Sequence, residues 1–468
     1  MIDQITKKNP GSFRDHCGYV FHYGEEILRT ILPSAKANYE AIRDAGIIAE
    51  SVNEGFLVGT KELEKSDTPD MLNDASYVVR HIKVPFISYP YEWSFYQLKV
   101  AALHHLKFQM FLLERDTILR DASAYNIQFI GSRPIFIDLL SIAPYKQGEY
   151  WSAHRQFCEQ FLNPLLLRAL KGIIHNGWFS GNLEGIYTGD LAKLLSLKDK
   201  MSWNVFSQIT LQAHFEKTSL KEPDSSTSRA QLRKPLSKKA YNGFLVQLHN
   251  WIDKLEPKDT GKTVWGEYAN KNTYLDEEAE KKIATIQQFA DKHKFVKLVD
   301  LGCNTGNYSI AALNGGAEFV IGYDFDTKAL DLAFLRAQKE NLNFLPLYLD
   351  AANPSPGQGW RQAERLGFQE RNVADAIIAL AFIHHLAIGR NIPLNQIINW
   401  ITTIAPRGLI EFVPKNDETI GKMLALREDI FNEYSEENFV KILSSQANII
   451  SSKIISSSGR IIYEFSTE

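Results

Sequence analysis

The residues best placed to do chemistry are acids that close apolar runs. Val299-Asp300-Leu301-Gly302-Cys303-Asn304-Thr305-Gly306 is followed by Gly322-Tyr323-Asp324. Residues 295–301 read as a buried strand that runs into a glycine-containing turn and then a helix. Residues 319–323 read as a second strand, ending on Asp324, 24 positions after Asp300. Such an arrangement holds a nucleoside: backbone N–H groups at the helix start face the ligand, and a carboxylate at the next strand end accepts ribose hydroxyls. The glycine spacing narrows the choice. A dinucleotide site wants G-x-G-x-x-G so that backbone can touch a pyrophosphate. Here the second and third of those positions are Asn304 and Asn307, which receive a pyrophosphate poorly.

The elements around these acids extend the pattern. A helix is expected over 327–340, a strand over 344–349 ending in Asp350-Ala351, and a strand over 375–380 entering Ala381-Phe382-Ile383-His384-His385-Leu386. A helix over 394–404, a strand over 408–413 and a closing hairpin (447–455 and 460–465, joined at Ser456-Ser457-Ser458-Gly459) complete it. Asp300, Gly302 and Gly306 resemble the first motif of class I S-adenosylmethionine-dependent methyltransferases, and the terminal hairpin is typical of their sheet. The resemblance implies S-adenosyl-L-methionine as cofactor. It implies contacts from Asp300, Gly302, Asn304, Thr305 and Gly306, ribose on Asp324 with Phe325 beside it, adenine on Asp350 and Ala351, and Leu380 at the fourth strand end. Trp265 and Tyr274, upstream of the first strand, either fold over the cofactor or pack the first helix onto the sheet.

Methyl transfer from a sulfonium is an in-line displacement, so alignment of the reacting atoms is the main demand on the protein. A hydroxyl acceptor also gives up a proton, which suits an imidazole. His384 and His385 follow the fourth strand, where the methyl group is expected. On a helix adjacent positions diverge by about 100°, so one of the two is expected to face the cleft; the alternative is that His384 caps or packs the turn. Glu411 interrupts an apolar strand, as a general base or anchor for the acceptor or as a surface position with Lys415 as its partner. Asp326 reads as the cap of the following helix, Cys303 as a packing residue, and Lys281-Lys282 as part of a solvated helix face.

With 468 residues, 44% hydrophobic and 23% charged, the chain has room for two or three domains with ample cores. A net charge of −3 gives no pull toward nucleic acid or anionic membrane. Three dispersed cysteines form no metal-ligand spacing and fit a reducing cytosol. No signal peptide or membrane span is read, so the expectation is a cytoplasmic protein without metal. Charge, Ser and Pro over 216–239 mark a break. The expected division is an α+β domain over 1–216, a linker and connecting helix over 217–258, and the methyltransferase domain over 259–468.

In the first half, a β-hairpin is expected over 13–31 and a long amphipathic helix over 94–114. The chain then enters Leu119-Arg120-Asp121-Ala122-Ser123-Ala124-Tyr125-Asn126 and, further on, Pro134-Ile135-Phe136-Ile137-Asp138. This order resembles protein-kinase-like and aminoglycoside-phosphotransferase-like cores, with Asp121, Asn126 and Asp138 in register for the base and the metal-binding positions. Leu119 stands where those families have His, Leu139-Leu140 replace the aromatic-glycine pair, and no glycine-rich phosphate loop is present. The fold class read from the sequence is therefore α/β: a Rossmann-like seven-stranded methyltransferase sheet behind a degenerate kinase-like domain. Taken whole, the chain resembles a bacterial family described as nodulation-type S-adenosylmethionine-dependent methyltransferases. That resemblance rests on stretches such as Val84-Pro85-Phe86-Ile87, Asn353-Pro354-Ser355-Pro356-Gly357 and Ile410-Glu411-Phe412-Val413. It implies O-methylation of a small-molecule or glycan-like acceptor. Alternatives are a bifunctional kinase-methyltransferase, and an inactive cofactor-binding scaffold that docks a protein partner through its N-terminal domain.

Overall fold

A computed structural model of the chain describes residues 6–210, 235–258, 275–425 and 428–468. The chain folds into two units. One comprises Met1–Tyr91, Phe95–Thr260 and Gln358–Arg365, the other Glu92–Ser94, Gly261–Gly357 and Leu366–Glu468.

The first unit opens with β1 (Thr6–Lys8), β2 (Val20–Tyr23), β3 (Glu26–Ile31), β4 (Thr60–Glu62) and β5 (Tyr77–His81). They form an antiparallel sheet in the order β1-β2-β3-β5-β4. The β2–β3 hairpin turns where Gly24 takes φ +56°, a conformation glycine adopts at little cost. Helices α1 (Lys36–Asp44) and α2 (Ile47–Asn53) lie between β3 and β4 in sequence. Helix α3 (Phe95–Glu114) is one-sided, as expected. Leu98, Ala101, Ala102, His105, Leu106, Phe108, Gln109 and Leu112 are buried, while Val100, Leu103, Lys107 and Glu114, spaced three, four and seven positions apart, keep partial or full exposure on the opposite face. Helix α4 (Lys238–Asp253) packs along its buried side. Gln109 Nε2 donates to Tyr241 Oη at 2.9 Å, and Lys99 Nζ to the Leu255 carbonyl at 2.8 Å. Two short antiparallel ribbons follow α3: β6 (Thr117–Leu119) with β9 (Ile142–Pro144), and β7 (Ile127–Ile130) with β8 (Arg133–Phe136).

The second unit is a seven-stranded sheet. Its strands are β10 (Lys297–Leu301), β11 (Phe319–Asp324), β12 (Phe344–Tyr348), β13 (Ala376–Ala379), β14 (Arg407–Phe412), β15 (Asn448–Ile454) and β16 (Ile461–Ser466), in the order β12-β11-β10-β13-β14-β16-β15. Strands β10 to β14 are parallel, and β16 runs antiparallel between β14 and β15. From β10 the chain first builds outward to β11 and β12, then returns to build β13 and β14 on the other side. That switch point is where open α/β sheets bind ligands. Helix α5 (Leu275–His293) leads into β10, and α6 (Asn307–Asn314), α7 (Thr327–Lys339), α8 (Ile383–Ala387) and α9 (Leu394–Ile404) lie between successive parallel strands. The parallel strands are apolar on both faces because helices cover both; Leu298, Val320, Leu330, Phe344, Ile378 and Leu409 share one core. Among the described residues no helix is long and apolar enough to cross a membrane.

Candidate active site

The site is built where β10, β11, β12 and β13 end. Gly302 (φ +80°) and Gly306 (φ +85°) shape the turn after β10. A β-carbon at Gly306 would stand 2.5 Å from Phe344 Cε1, so close packing as well as backbone conformation demands glycine there. Asn304 also takes a positive φ, +49°, in the left-handed region that asparagine tolerates. Its N–H donates to Asp324 Oδ2 at 2.9 Å, tying the β10 turn to the end of β11. The other oxygen, Asp324 Oδ1, takes the Asp326 N–H at 2.8 Å. Each carboxylate oxygen accepts more than one hydrogen bond, so Asp324 keeps capacity for a ligand. Asp326 caps α7 by accepting from the N–H groups of Lys328 and Ala329, as its place in the sequence suggests.

A cavity of about 620 Å³ opens over these strand ends, within the usual range of small-molecule sites. Gly302, Asn304, Thr305, Asp324, Phe325, Asp350, Ala351, Leu380, His384 and His385 all line it. Other candidates lie behind the wall. Asp300 is buried beneath the turn, where its Oδ2 accepts from Ser309 Oγ at 2.7 Å. Burial pushes its pKa up to about 7, against the pull of the Ser309 bond and with a further push from Asp324. Gly306 is the N-cap of α6. Cys303 touches the cavity but is buried, which raises its thiol pKa and suits packing. Trp265 and Tyr274 lie outside the described residues.

The two histidines depart from the expectation that only one faces the cleft. Both line the cavity, with ring centroids 4.1 Å apart. Helix α8 is a single short turn entered from Ala381 at φ +48°. His384 is 1% exposed, and neither ring nitrogen has a hydrogen-bond partner among the described residues. Burial, then the neighbouring His385 and Arg460, lower its pKa to about 2; burial lowers that of His385 to about 4. Both rings are therefore neutral at physiological pH.

Glu411 occupies neither of its expected settings. It is fully buried on β14, below the cavity wall. Its partner is Lys282 of α5, Nζ to Oε1 2.9 Å, whereas Lys415 pairs with Asp429 at 2.8 Å. Lys282 is accordingly no solvated surface residue: it is 3% exposed, because α5 turns this position onto the sheet. It also meets Glu278 at 2.9 Å. Arg460 joins the cluster, with Nη1 3.3 Å from Glu278, and Nε and Nη2 on the two Asp417 oxygens at 2.8 and 2.9 Å. Burial alone would raise the Asp417 pKa, but the Arg460 bonds hold it well below the usual carboxylate range. Lys282, Glu278 and Arg460 line the cavity beside His384. Sequence reasoning misses them because Glu278 and Lys282, four apart on a helix, look like an ordinary surface pair. Arg390 stands 3.5 Å from Asp350.

In the first unit Asp121, Asn126 and Asp138 do come together. Asn126 Nδ2 lies 3.0 Å from Asp121 Oδ2 and 3.4 Å from Asp138 Oδ2. Arg29, on β3, reaches Asp138 Oδ1 at 2.8 Å and Asp15 Oδ2 at 2.5 Å. Burial and the neighbouring Asp138 raise the Asp121 pKa. Among the described residues no group of three or more His, Cys, Asp or Glu is arranged to hold a metal ion.

No protein-family model matches the chain. Among solved structures, magnesium protoporphyrin IX methyltransferase of Synechocystis PCC 6803 with bound SAM aligns over 45% of this chain and 87% of its own, at 18% identity and a TM-score of 0.31. The N-methyltransferase NodS of Bradyrhizobium japonicum WM9, in complex with S-adenosyl-L-homocysteine, aligns over 44% of this chain and 92% of its own, at 11% identity and a TM-score of 0.32. The nodulation protein NoeA of Rhizobium meliloti (strain 1021) is 47% identical over 458 residues, 97% of this chain and 95% of NoeA. The chain belongs to the NoeA family of nodulation proteins.

Proposed function

We propose that the second unit is an S-adenosylmethionine-dependent methyltransferase acting on a small-molecule or glycan-like acceptor through a neutral oxygen or nitrogen, with hydroxyl oxygen favoured. The observation that carries this reading is one cavity lined by Asp324, Asp350 and His384 at the switch point of a β12-β11-β10-β13-β14-β16-β15 sheet. In this reading Asp324 takes the ribose hydroxyls and Asp350 the adenine edge, with Phe325 and Ala351 beside the rings. The Gly302–Gly306 turn receives the amino-acid end, and Leu380 closes the floor toward the transferring methyl. Bound cofactor supplies an electrophilic methyl on a good leaving group, and the chain's own residues bring the nucleophile into line.

His384 then serves as hydrogen-bond acceptor for the nucleophile. A ring held neutral by burial is always ready to receive an O–H, and its low basicity makes alignment its larger contribution. Calorimetry with S-adenosyl-L-homocysteine, followed by methyl-labelled cofactor with small-molecule extracts, tests the assignment. His384→Ala should lower transfer about 100-fold while leaving S-adenosyl-L-homocysteine binding intact. The rate should stay level between about pH 6 and 8, since neither histidine titrates there. No binding, or a rate rising through the ordinary histidine range, would sink the reading.

The same reading treats residues 1–216 as a degenerate kinase-like scaffold, 217–258 as linker and connecting helix, and 259–468 as the methyltransferase domain. Support for the scaffold comes from the antiparallel sheet with helices between β3 and β4, and from the contact of Asp121, Asn126 and Asp138. The Arg29 guanidinium on Asp138 speaks against phosphotransfer.

A further inference from the structure

Glu411 is the least expected charge in the second unit: a fully buried carboxylate one residue from the end of a largely apolar strand. Burying a charge is costly unless it is paired, and Lys282 pairs it. Stability does not explain the arrangement, because a buried ion pair is commonly no more stabilising than an apolar pair of the same volume. One thing the carboxylate does that an apolar side chain could not is accept the Ala381 N–H, which donates to Glu411 Oε2 at 2.8 Å. Ala381 is held at φ +48°, a left-handed conformation that is strained for any residue with a β-carbon and persists only where surroundings enforce it. The turn it makes has two visible results. Phe382 lies against Gly302, where a β-carbon would stand 3.2 Å from the ring. His384 is delivered into the cavity.

From this we infer that Glu411 and Lys282 form a buried clamp that positions the acceptor end of the cleft: Glu411 holds the strained Ala381 turn from below, and Lys282 ties that anchor to α5. Glu411 is thus a positioning residue, acting through the Ala381 N–H on Phe382 and His384. The inference rests on the methyl-transfer reading above. It assigns Lys282 and Ala381 to the machinery of the site.

Single charge deletions would leave a buried ion unpaired, so the test uses two double variants. Lys282→Met with Glu411→Gln keeps an amide oxygen for the Ala381 N–H. Lys282→Met with Glu411→Leu does not. The two differ in whether the turn is held and share the removal of the ion pair. The Leu variant should transfer labelled methyl to the small-molecule extract about 100-fold more slowly than the Gln variant, as expected for misplacement of a reacting group by about 1 Å. Both should bind S-adenosyl-L-homocysteine alike by calorimetry. Amide hydrogen exchange at Ala381 should be faster in the Leu variant. Equal transfer and equal Ala381 exchange in the two variants would overturn the clamp. Failure of the unsubstituted protein to bind S-adenosyl-L-homocysteine would instead overturn the methyl-transfer reading, and Ala381 exchange would still decide the clamp.

Discussion

The two units each gather acids at the ends of short strands, and they do opposite things with them. In the first, Asp15 and Asp138 share the Arg29 guanidinium, and Asn126 bridges Asp121 to Asp138. The cluster closes on itself. In the second, Asp324 and Asp350 face a cavity of about 620 Å³, and the carboxylate of Asp324 is held by two backbone N–H groups. Backbone donors orient a carboxylate without neutralising it, whereas a guanidinium also satisfies its charge. Similar residue types therefore make a structural staple in one place and a receptive site in the other. The deciding quantities are who supplies the counter-charge and whether space remains beside it.

Exchanging the roles of the two clusters would break this comparison. The largest effect is expected from Arg29→Ala, which strands Asp138 and Asp15 without their cation. It should cost the first unit about 3 kcal/mol of unfolding free energy, leave S-adenosyl-L-homocysteine affinity unaltered, and go with no Mg·ATP heat in the unsubstituted protein. A stable variant, or saturable Mg·ATP binding lost on Asp138→Asn, would show that the cluster is a site after all. Next comes Asp324→Ala, expected to weaken S-adenosyl-L-homocysteine by about 100-fold through lost charged hydrogen bonds, with a smaller change in denaturant midpoint. If stability fell and affinity held, the contrast would be inverted.

A third test is a pH slope. Burial raises the Asp300 pKa to about 7, so between the unfolded value near 4 and that figure the native chain keeps a proton the unfolded chain has released. Stability from this group is complete at low pH and is lost as pH rises through the folded pKa. Denaturant unfolding of Asp300→Asn should gain on the unsubstituted protein as pH climbs from about 4 to about 7. A constant difference across that window would mean Asp300 is ionised when folded.

Much of the second unit is legible in the sequence because its strands are continuous apolar runs that end on polar residues, a signal that survives without three-dimensional context. The β10 turn, β11 with Asp324 and β12 with Asp350 follow from it, as does the helix cap at Asp326. What stays hidden depends on partners distant in sequence. Lys282 reads as surface until α5 is laid on the sheet and Glu411 appears beneath it. No propensity assigns a left-handed conformation to an alanine, so the turn at Ala381, and with it the joint exposure of His384 and His385 to the cavity, could not be foreseen. Helix α3 is legible as one-sided, but its partner α4 lies more than a hundred residues downstream and is not. In the first unit the motif spacing is visible, but the arginine that fills it comes from another strand.

The place of β16 carries a consequence for biosynthesis. It runs between β14 and β15, so it supplies the ladder bonds on which both neighbours depend. A ribosome must release the chain through Ser466 before this sheet can be zipped shut, and until then β14 presents an open, apolar edge that invites pairing with other nascent chains.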